Sequence, residues 1–328
     1  MGGDFGPRCI LPAVARSLAT HPGLEVVLVG SAESMHEQST LCPLPEKRVR
    51  WISASEVIHA DDSPASVLRH KRDASMRLAI EQVRDGHADG CLSAGNTGAL
   101  MVLARSILGT LEGVERPAIM ASLPVSGRAC HVLDMGANVD CTAMQLFEFA
   151  VMASETVRET SGLARPRIGL LNIGREVHKG SRMVREVSDM LRRSPELNYV
   201  GHIEGDGLFR DEADVVVCDG FVGNVVLKAS EGLALYLQSE LRQALAANRL
   251  LRLMSPVLRS ALKPFGERHD PTRYNGASLL GLNGVVVKSH GAANQFAFEI
   301  AIERAMLACR AGLPTRIASK LAQCRAHL

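Results

Sequence analysis

Lys179, with Gly180 after it and Gly174 five residues before, places a compact positive charge among backbone that can approach an anion closely. Asn224 ends the string Asp219-Gly220-Phe221-Val222-Gly223-Asn224, and its carboxamide could donate to a carbonyl or phosphate oxygen. Three more clusters have the same character: Ser93-Ala94-Gly95-Asn96-Thr97-Gly98, Asp134-Met135-Gly136-Ala137-Asn138, and Lys288-Ser289-His290-Gly291. Loops of small residues expose their N–H groups, and a helix that follows adds its positive end, so a phosphate-sized anion is the natural guest. Each residue also has a structural alternative. Lys179 could be a solvated loop cation, Asn224 and Asn96 could be helix N-caps, and a backbone carbonyl could satisfy His290. Asp4, after Gly2-Gly3, could orient a lysine or close a turn.

Other chemistries lack their residues. No Walker A loop, no GxGxxG after a first strand, no HExxH and no GxSxG elbow occurs, so a covalent side-chain nucleophile is not evident. The eight cysteines are scattered, with no CxxC pair and no metal-type spacing, and read as reduced, buried thiols.

Short apolar runs alternate with longer helix-period segments, the pattern of an α/β fold with a largely parallel sheet. Strands are expected at 24–29, 50–53, 90–93, 118–123, 130–135, 167–173, 198–203, 213–218 and 284–288, and helices at 12–19, 65–85, 98–108, 142–160, 180–193, 224–246 and 294–312. In an open parallel sheet ligands bind beyond the carboxyl ends of the strands, which would put all five clusters along one rim. No linker or repeat divides the 328 residues, so they read as one domain. Within it, 241–268 is basic, and Leu251, Met254, Leu258 and Leu262 share a helical stripe, with a break expected at Ser255-Pro256. Lys and Arg total 37 against 35 Asp and Glu, a balance that leaves no global footprint for nucleic acid. No apolar run reaches the roughly 18 residues of a transmembrane helix, and the first residues lack the pattern of a signal peptide.

As a set, MGGDFGP at the start, SAGNTGALM at 93–101, LDMGANVDCTA at 133–143, LLNIG with KG at 170–180, EGDGLFR at 204–210, ADVVVCDGFVGNVVLK at 213–228 and YNGASLLGLNGVVVKSHG at 274–291 resemble the bacterial phosphate acyltransferases, the PlsX family. The resemblance implies transfer of a fatty acyl group from the thioester of acyl carrier protein to inorganic phosphate. The acyl phosphate made would supply phospholipid synthesis through a downstream membrane glycerol-3-phosphate acyltransferase. It also implies a Rossmann-like αβα sandwich related to phosphotransacetylases and isocitrate dehydrogenase, a homodimer, and no metal or organic cofactor. A cytoplasmic protein attached peripherally to the inner, anionic face of the membrane is implied too, with the 241–268 hairpin, through Leu251, Met254, Leu258 and Leu262, as its contact. Lys179 and Asn224 become the catalytic pair, with Gly95, Asn96, Thr97, Asn138, Gly174, Gly180, Asp219 and His290 binding substrate or phosphate. Two other readings stay open: a metal- and nicotinamide-dependent dehydrogenase on the related fold, for which Asp134, Asp214 and Asp219 look too dispersed, and a non-catalytic membrane scaffold. The chain departs from the family in four places. The family's apolar first strand is not found before MGGDFGP, as expected if an upstream start is lost or the sheet has one strand fewer; Arg175 stands where the family often has an acid, Ser181 where it has Asn, and Asn294 where it has Asp. Arg175 is thereby a second candidate cation.

Overall fold

A computed structural model describes residues 2–33, 42–125, 128–247 and 270–327. The strands are β1 (Val26–Gly30), β2 (Val49–Ser53), β3 (Gly90–Ser93), β4 (Ala118–Val125), β5 (Arg128–Leu133), β6 (Arg167–Leu171), β7 (Asn198–Ile203), β8 (Val215–Val217), β9 (Ala277–Leu280) and β10 (Val285–Lys288). Eight form one sheet in the order β3-β10-β9-β4-β5-β8-β6-β7, while β1 and β2 make a separate parallel pair. The helices are α1 (Pro7–Thr20), α2 (Pro64–His70), α3 (Ser75–Arg84), α4 (Thr97–Leu108), α5 (Ala143–Ser161), α6 (Arg182–Arg193), α7 (Gly220–Ala247), α8 (Gln295–Arg310) and α9 (Leu313–Arg325).

Alternation along the strands sends side chains to both faces. On β8, Val216 joins Ile80, Leu100 and Leu103 beneath α3 and α4, whereas Val215 and Val217 join Phe147, Phe149 and Leu191 beneath α5 and α6. The expected αβα sandwich is therefore what forms, with α1 and α8 closing a third, smaller core around Val14, Leu18 and Phe298. Helix α5 runs through its centre and starts with a capping box. Thr142 Oγ1 accepts from the Gln145 amide at 3.2 Å, and Gln145 Oε1 accepts from the Thr142 amide at 2.9 Å.

The sheet corrects the expectation of a single rim. β10 pairs parallel with β3, but β9 runs antiparallel to both β10 and β4, and β4 antiparallel to β5. β5, β8, β6 and β7 are mutually parallel. The carboxyl ends of β3 and β10 thus open on one rim, and those of β5, β8, β6 and β7 on the opposite one. Two short hairpin connections cause this reversal, and alternating element types alone do not reveal them.

Local differences have local causes. The helix expected at 65–85 is two, because Asp73 draws the chain toward 55–56: its Oδ2 accepts from the Ser55 amide at 2.7 Å, and its own amide donates to Glu56 Oε2 at 2.7 Å. Helix α1 begins at Pro7, a favoured first position, and accommodates Pro12 inside. Strand β9 was not expected, although Asn283-Gly284 between two apolar runs is a hairpin signal. Helix α9 was not expected either. Its stripe of Leu313, Ile317, Leu321 and Cys324 is buried, after Gly312 in the left-handed region at φ +58°. The membrane-contact residues Leu251, Met254, Leu258 and Leu262 lie outside the described residues. Among the described residues no helix is long and apolar enough to cross a membrane.

Candidate active site

At the end of β5 the chain folds around a carboxylate. Asp134 is fully buried; Oδ1 accepts from the amides of Ile119 (3.0 Å) and Ala137 (3.1 Å), and Oδ2 from the Asn138 amide (2.7 Å) and Asn138 Nδ2 (2.9 Å). Burial holds its carboxyl above the ordinary carboxylate pKa even against these four donors. Asn138 Nδ2 also donates to the Pro117 carbonyl at 2.9 Å, so this residue braces Asp134 and does not face an open pocket as expected. Its backbone carbonyl accepts from the Gly220 amide at 2.7 Å and ties the loop to the start of α7. A Cβ on Gly220 would lie 2.6 Å from that carbonyl, and one on Gly223 would run into the Asp134 carbonyl. The two glycines let α7 press its first turn directly on the loop.

Asp219 is the cap of α7, with Oδ1 accepting from the Val222 amide at 2.9 Å. Asn224 is therefore not the N-cap. It is the fifth residue of the helix, exposed, and its carboxamide makes no hydrogen bond with a described residue. A Cβ on Gly136 would stand 3.3 Å from Asn224 Cβ, which sets the carboxamide beside the β5 loop. Cys141 and Cys218 flank the same junction, their thiols 3.6 Å from the Asn138 carbonyl and 3.8 Å from the Asp134 carbonyl. Burial pushes the Cys141 thiol up to about 11 and the Cys218 thiol further, so neither is a thiolate near neutral pH.

β8 lies between β5 and β6, so the loop holding Lys179 flanks the start of α7 on the same rim. The Lys179 amide donates to the Glu176 carbonyl at 3.0 Å, and the Lys179 carbonyl accepts from Asn172 Nδ2 at 3.2 Å. Gly180 takes φ +89°, and Gly174 is buried against the Lys179 stem. Lys179 is exposed and pairs with no carboxylate among the described residues. Arg175, the rival cation, binds Glu212 at 2.6 Å and Glu204 at 3.5 Å, and its charge is already compensated. Ser181 caps α6 and Asn294 caps α8, each accepting from an amide three residues on, at 3.2 and 2.9 Å.

On the other rim Asn96 is spent within the protein: Oδ1 caps α4 through the Ala99 amide at 3.0 Å, and Nδ2 donates to the Ala60 carbonyl at 2.9 Å. Gly95 donates to Ser93 Oγ at 3.2 Å, and Thr97 is exposed at the first position of α4. His290 accepts from the Ala292 amide at Nδ1 (3.1 Å), so its proton resides on Nε2 of an exposed ring, a donor ready for an anion.

Lys288 heads one of the clusters named from the sequence but was not singled out there as a candidate. It ends the valine strand β10, and its ammonium donates to the Ala94 carbonyl at 3.4 Å and to the Ser289 carbonyl. Burial, with a smaller push from Lys228, lowers its pKa to about 8 against the pull of Asp4. A lone charge closing a run of valines was the signal for it. Asp4 also donates its amide to the Gly291 carbonyl at 2.8 Å, so it both closes a turn and faces a lysine.

The structure thus gathers three groups: Gly136, Asn138, Asp219 and Asn224; Gly174, Lys179 and Gly180; and Gly95, Asn96, Thr97, His290 and Lys288. Helix α7 relates the two rims, because Lys228 lies one turn beyond Asn224 on the same face and within electrostatic range of Lys288. No hydrogen bond or ion pair among the described residues joins Lys179 to Asn224. A metal-dependent dehydrogenase is poorly served: Asp134 is enclosed by donors, Asp219 caps a helix, and Asp214 binds Arg167 at 2.9 Å. No cluster of three or more His, Cys, Asp or Glu among the described residues could hold a metal ion.

Residues 1–316 match the family described as fatty acid synthesis protein. The phosphate acyltransferase of Alkalilimnicola ehrlichii is 50% identical over 322 residues, 98% of this chain and 94% of that protein. That of Pseudomonas paraeruginosa is 49% identical over 322 residues, 98% of this chain and 96% of its own. A phosphotransacetylase from Streptococcus pyogenes shares the fold, with a TM-score of 0.62 at 20% identity over 92% of this chain and 91% of its own. Identity near one half across nearly the whole chain is decisive: the chain belongs to the fatty acid synthesis protein family alongside these phosphate acyltransferases, and it is an enzyme of acyl transfer.

Proposed function

We propose that the enzyme moves a fatty acyl group from the thioester of acyl carrier protein to inorganic phosphate, supplying acyl phosphate for phosphatidic acid synthesis. The observation that carries this reading is the placement, on one rim, of a lysine and a carboxamide whose side chains have no hydrogen-bond or ion-pair partner among the described residues. In this reading Lys179 holds the phosphate and Asn224 donates to the thioester oxygen, with Gly174, Gly180 and the first turn of α7 supplying backbone around them. A phosphate oxygen attacks the thioester carbon. The tetrahedral oxyanion is stabilised by Asn224, the C–S bond then breaks, and the thiol leaves with the proton that the phosphate gives up. The raised thiol pKa values of Cys141 and Cys218 support phosphate itself as the nucleophile. Asn96, Asn138 and Asp219 serve as braces for the loops, while Gly95, Thr97, His290 and Lys288 offer donors for the donor's own anionic groups.

The whole chain is proposed to act as one domain and as a homodimer. The outer half of α7 exposes Leu233, Leu235, Tyr236, Leu237 and Leu241, an apolar surface that a second copy would cover. A cytoplasmic enzyme resting on the anionic inner membrane surface through 241–268, passing its product to a membrane glycerol-3-phosphate acyltransferase, follows from the resemblance and the basic composition of that segment.

The test is incubation with palmitoyl-loaded acyl carrier protein, with and without phosphate, and detection of acyl phosphate by mass spectrometry. Formation only with phosphate is expected, and Lys179→Ala and Asn224→Ala should each fall by about a hundredfold to a thousandfold while still folded. Normal turnover in both folded variants would move the centre elsewhere.

A further inference from the structure

Lys179 is held by its backbone on both sides. Its amide closes a turn on the Glu176 carbonyl at 3.0 Å, and its carbonyl takes one hydrogen of the Asn172 carboxamide at 3.2 Å. The other hydrogen of that carboxamide points to His202 Nδ1 at 3.1 Å, and Oδ1 accepts from the Ile173 amide at 2.9 Å. Both N–H groups and one lone pair of the Asn172 carboxamide are thereby used, and its amide cannot be flipped without losing these bonds. Gly180 follows at φ +89°, and a Cβ there would run into the Asn172 carboxamide.

The same geometry fixes the imidazole. With Asn172 Nδ2 as the donor, Nδ1 accepts and the ring proton is assigned to Nε2, which is buried and has no hydrogen-bond partner among the described residues. A buried donor left unpaired works against the fold. The ring therefore does not stand there for the sake of Nε2, and its one polar duty toward the loop is to orient Asn172. Nδ1 is also 3.3 Å from the Glu176 carbonyl, the acceptor of the Lys179 amide, so the imidazole packs against both anchors of the lysine.

From this we infer that Asn172 and His202 are positioning residues for phosphate, setting the Lys179 turn without touching the anion themselves. The inference rests on Lys179 as the phosphate cation. Misplacing a binding group by about an ångström can cost on the order of a hundredfold in rate. The loss should appear in phosphate recognition and leave acyl-donor recognition unaffected.

Steady-state kinetics of the full chain, varying inorganic phosphate and the acyl carrier thioester in turn, test it. Asn172→Ala and His202→Leu should each raise KM for phosphate about tenfold or more and leave KM for the acyl donor within about twofold. His202→Asn, whose Oδ1 can accept where Nδ1 does, should restore near-normal phosphate KM. Adding Asn172→Ala to Lys179→Ala should change activity less than twofold, because one acts through the other. If Asn172→Ala does not fold, Asn172→Ser and His202→Leu carry the same comparison. A folded Asn172 variant or His202→Leu with ordinary phosphate KM, or an equal rise in both KM values, would overturn the inference. Lys179→Ala in parallel separates the two claims. Ordinary phosphate KM there sinks the role of Lys179, whereas lost phosphate affinity there with intact Asn172 and His202 variants sinks only the positioning.

Discussion

The ammonium of Lys288 rests on two backbone carbonyls with much of its surface withdrawn from water, and burial lowers its pKa to about 8 from an ordinary 10.5. Between pH 8 and 10.5 the unfolded chain holds a proton that the folded chain has released, so stability rises with pH across that window. Below pH 8 both states are charged, and the fold bears the full desolvation penalty. Lys288→Met should therefore be more stable than the parent at pH 7 by about 1–2 kcal/mol, after discounting the lost carbonyl contacts. That advantage should vanish near pH 10.5 in denaturant melts run across the range. Parallel pH profiles for parent and variant would show a solvated lysine. Residue types carried Lys179, Asn224 and His290 into view from the sequence, each with an alternative still open. They did not separate ligand donors from braces, because Asn is favoured both at helix caps and at anion sites, and Asp219 stands in the same kind of glycine-containing loop. Asn96 and Asp219 became caps and Asn138 an internal clamp, and only the course of the chain decides which.

Among the elements, α7 has the tightest requirement. Gly223 faces the Asp134 carbonyl, a backbone atom that cannot move aside, whereas Gly232 on the same helix has no atom of the described residues within 4 Å of its would-be Cβ. Gly223→Ala should displace the first turn and Asn224 with it, lowering turnover at least about a hundredfold and stability by about 1–3 kcal/mol. Gly232→Ala should stabilise by about 0.5–1 kcal/mol and leave turnover unchanged. Thermal melts and initial rates of the two variants check the contrast, and a fully active Gly223→Ala would contradict the packing described. Long periodic segments such as α5 were readable within a residue or two because their apolar stripe and caps agree. Strand β9 was not, since four residues between Gly276 and Gly281 carry almost no period, and the break between α2 and α3 depends on Asp73 finding residues 55–56.

Across the molecule, the hairpins β4–β5 and β9–β10 turn one half of the sheet against the other, and the loops rich in glycine divide between two rims. The family strings made the activity legible without revealing that division, because sequence similarity is blind to strand direction. With Lys179 and Asn224 on one rim and Lys288 and His290 on the other, the proposed reaction needs two substrates held in line, with the reacting oxygen supplied by phosphate itself. Intact-protein mass spectrometry after mixing with palmitoyl-loaded carrier protein in phosphate-free buffer examines this directly. The expected spectrum shows no acyl adduct, with no release of carrier thiol until phosphate is added. A palmitoyl mass on the enzyme, formed before phosphate and consumed at the turnover rate when phosphate arrives, would contradict direct attack.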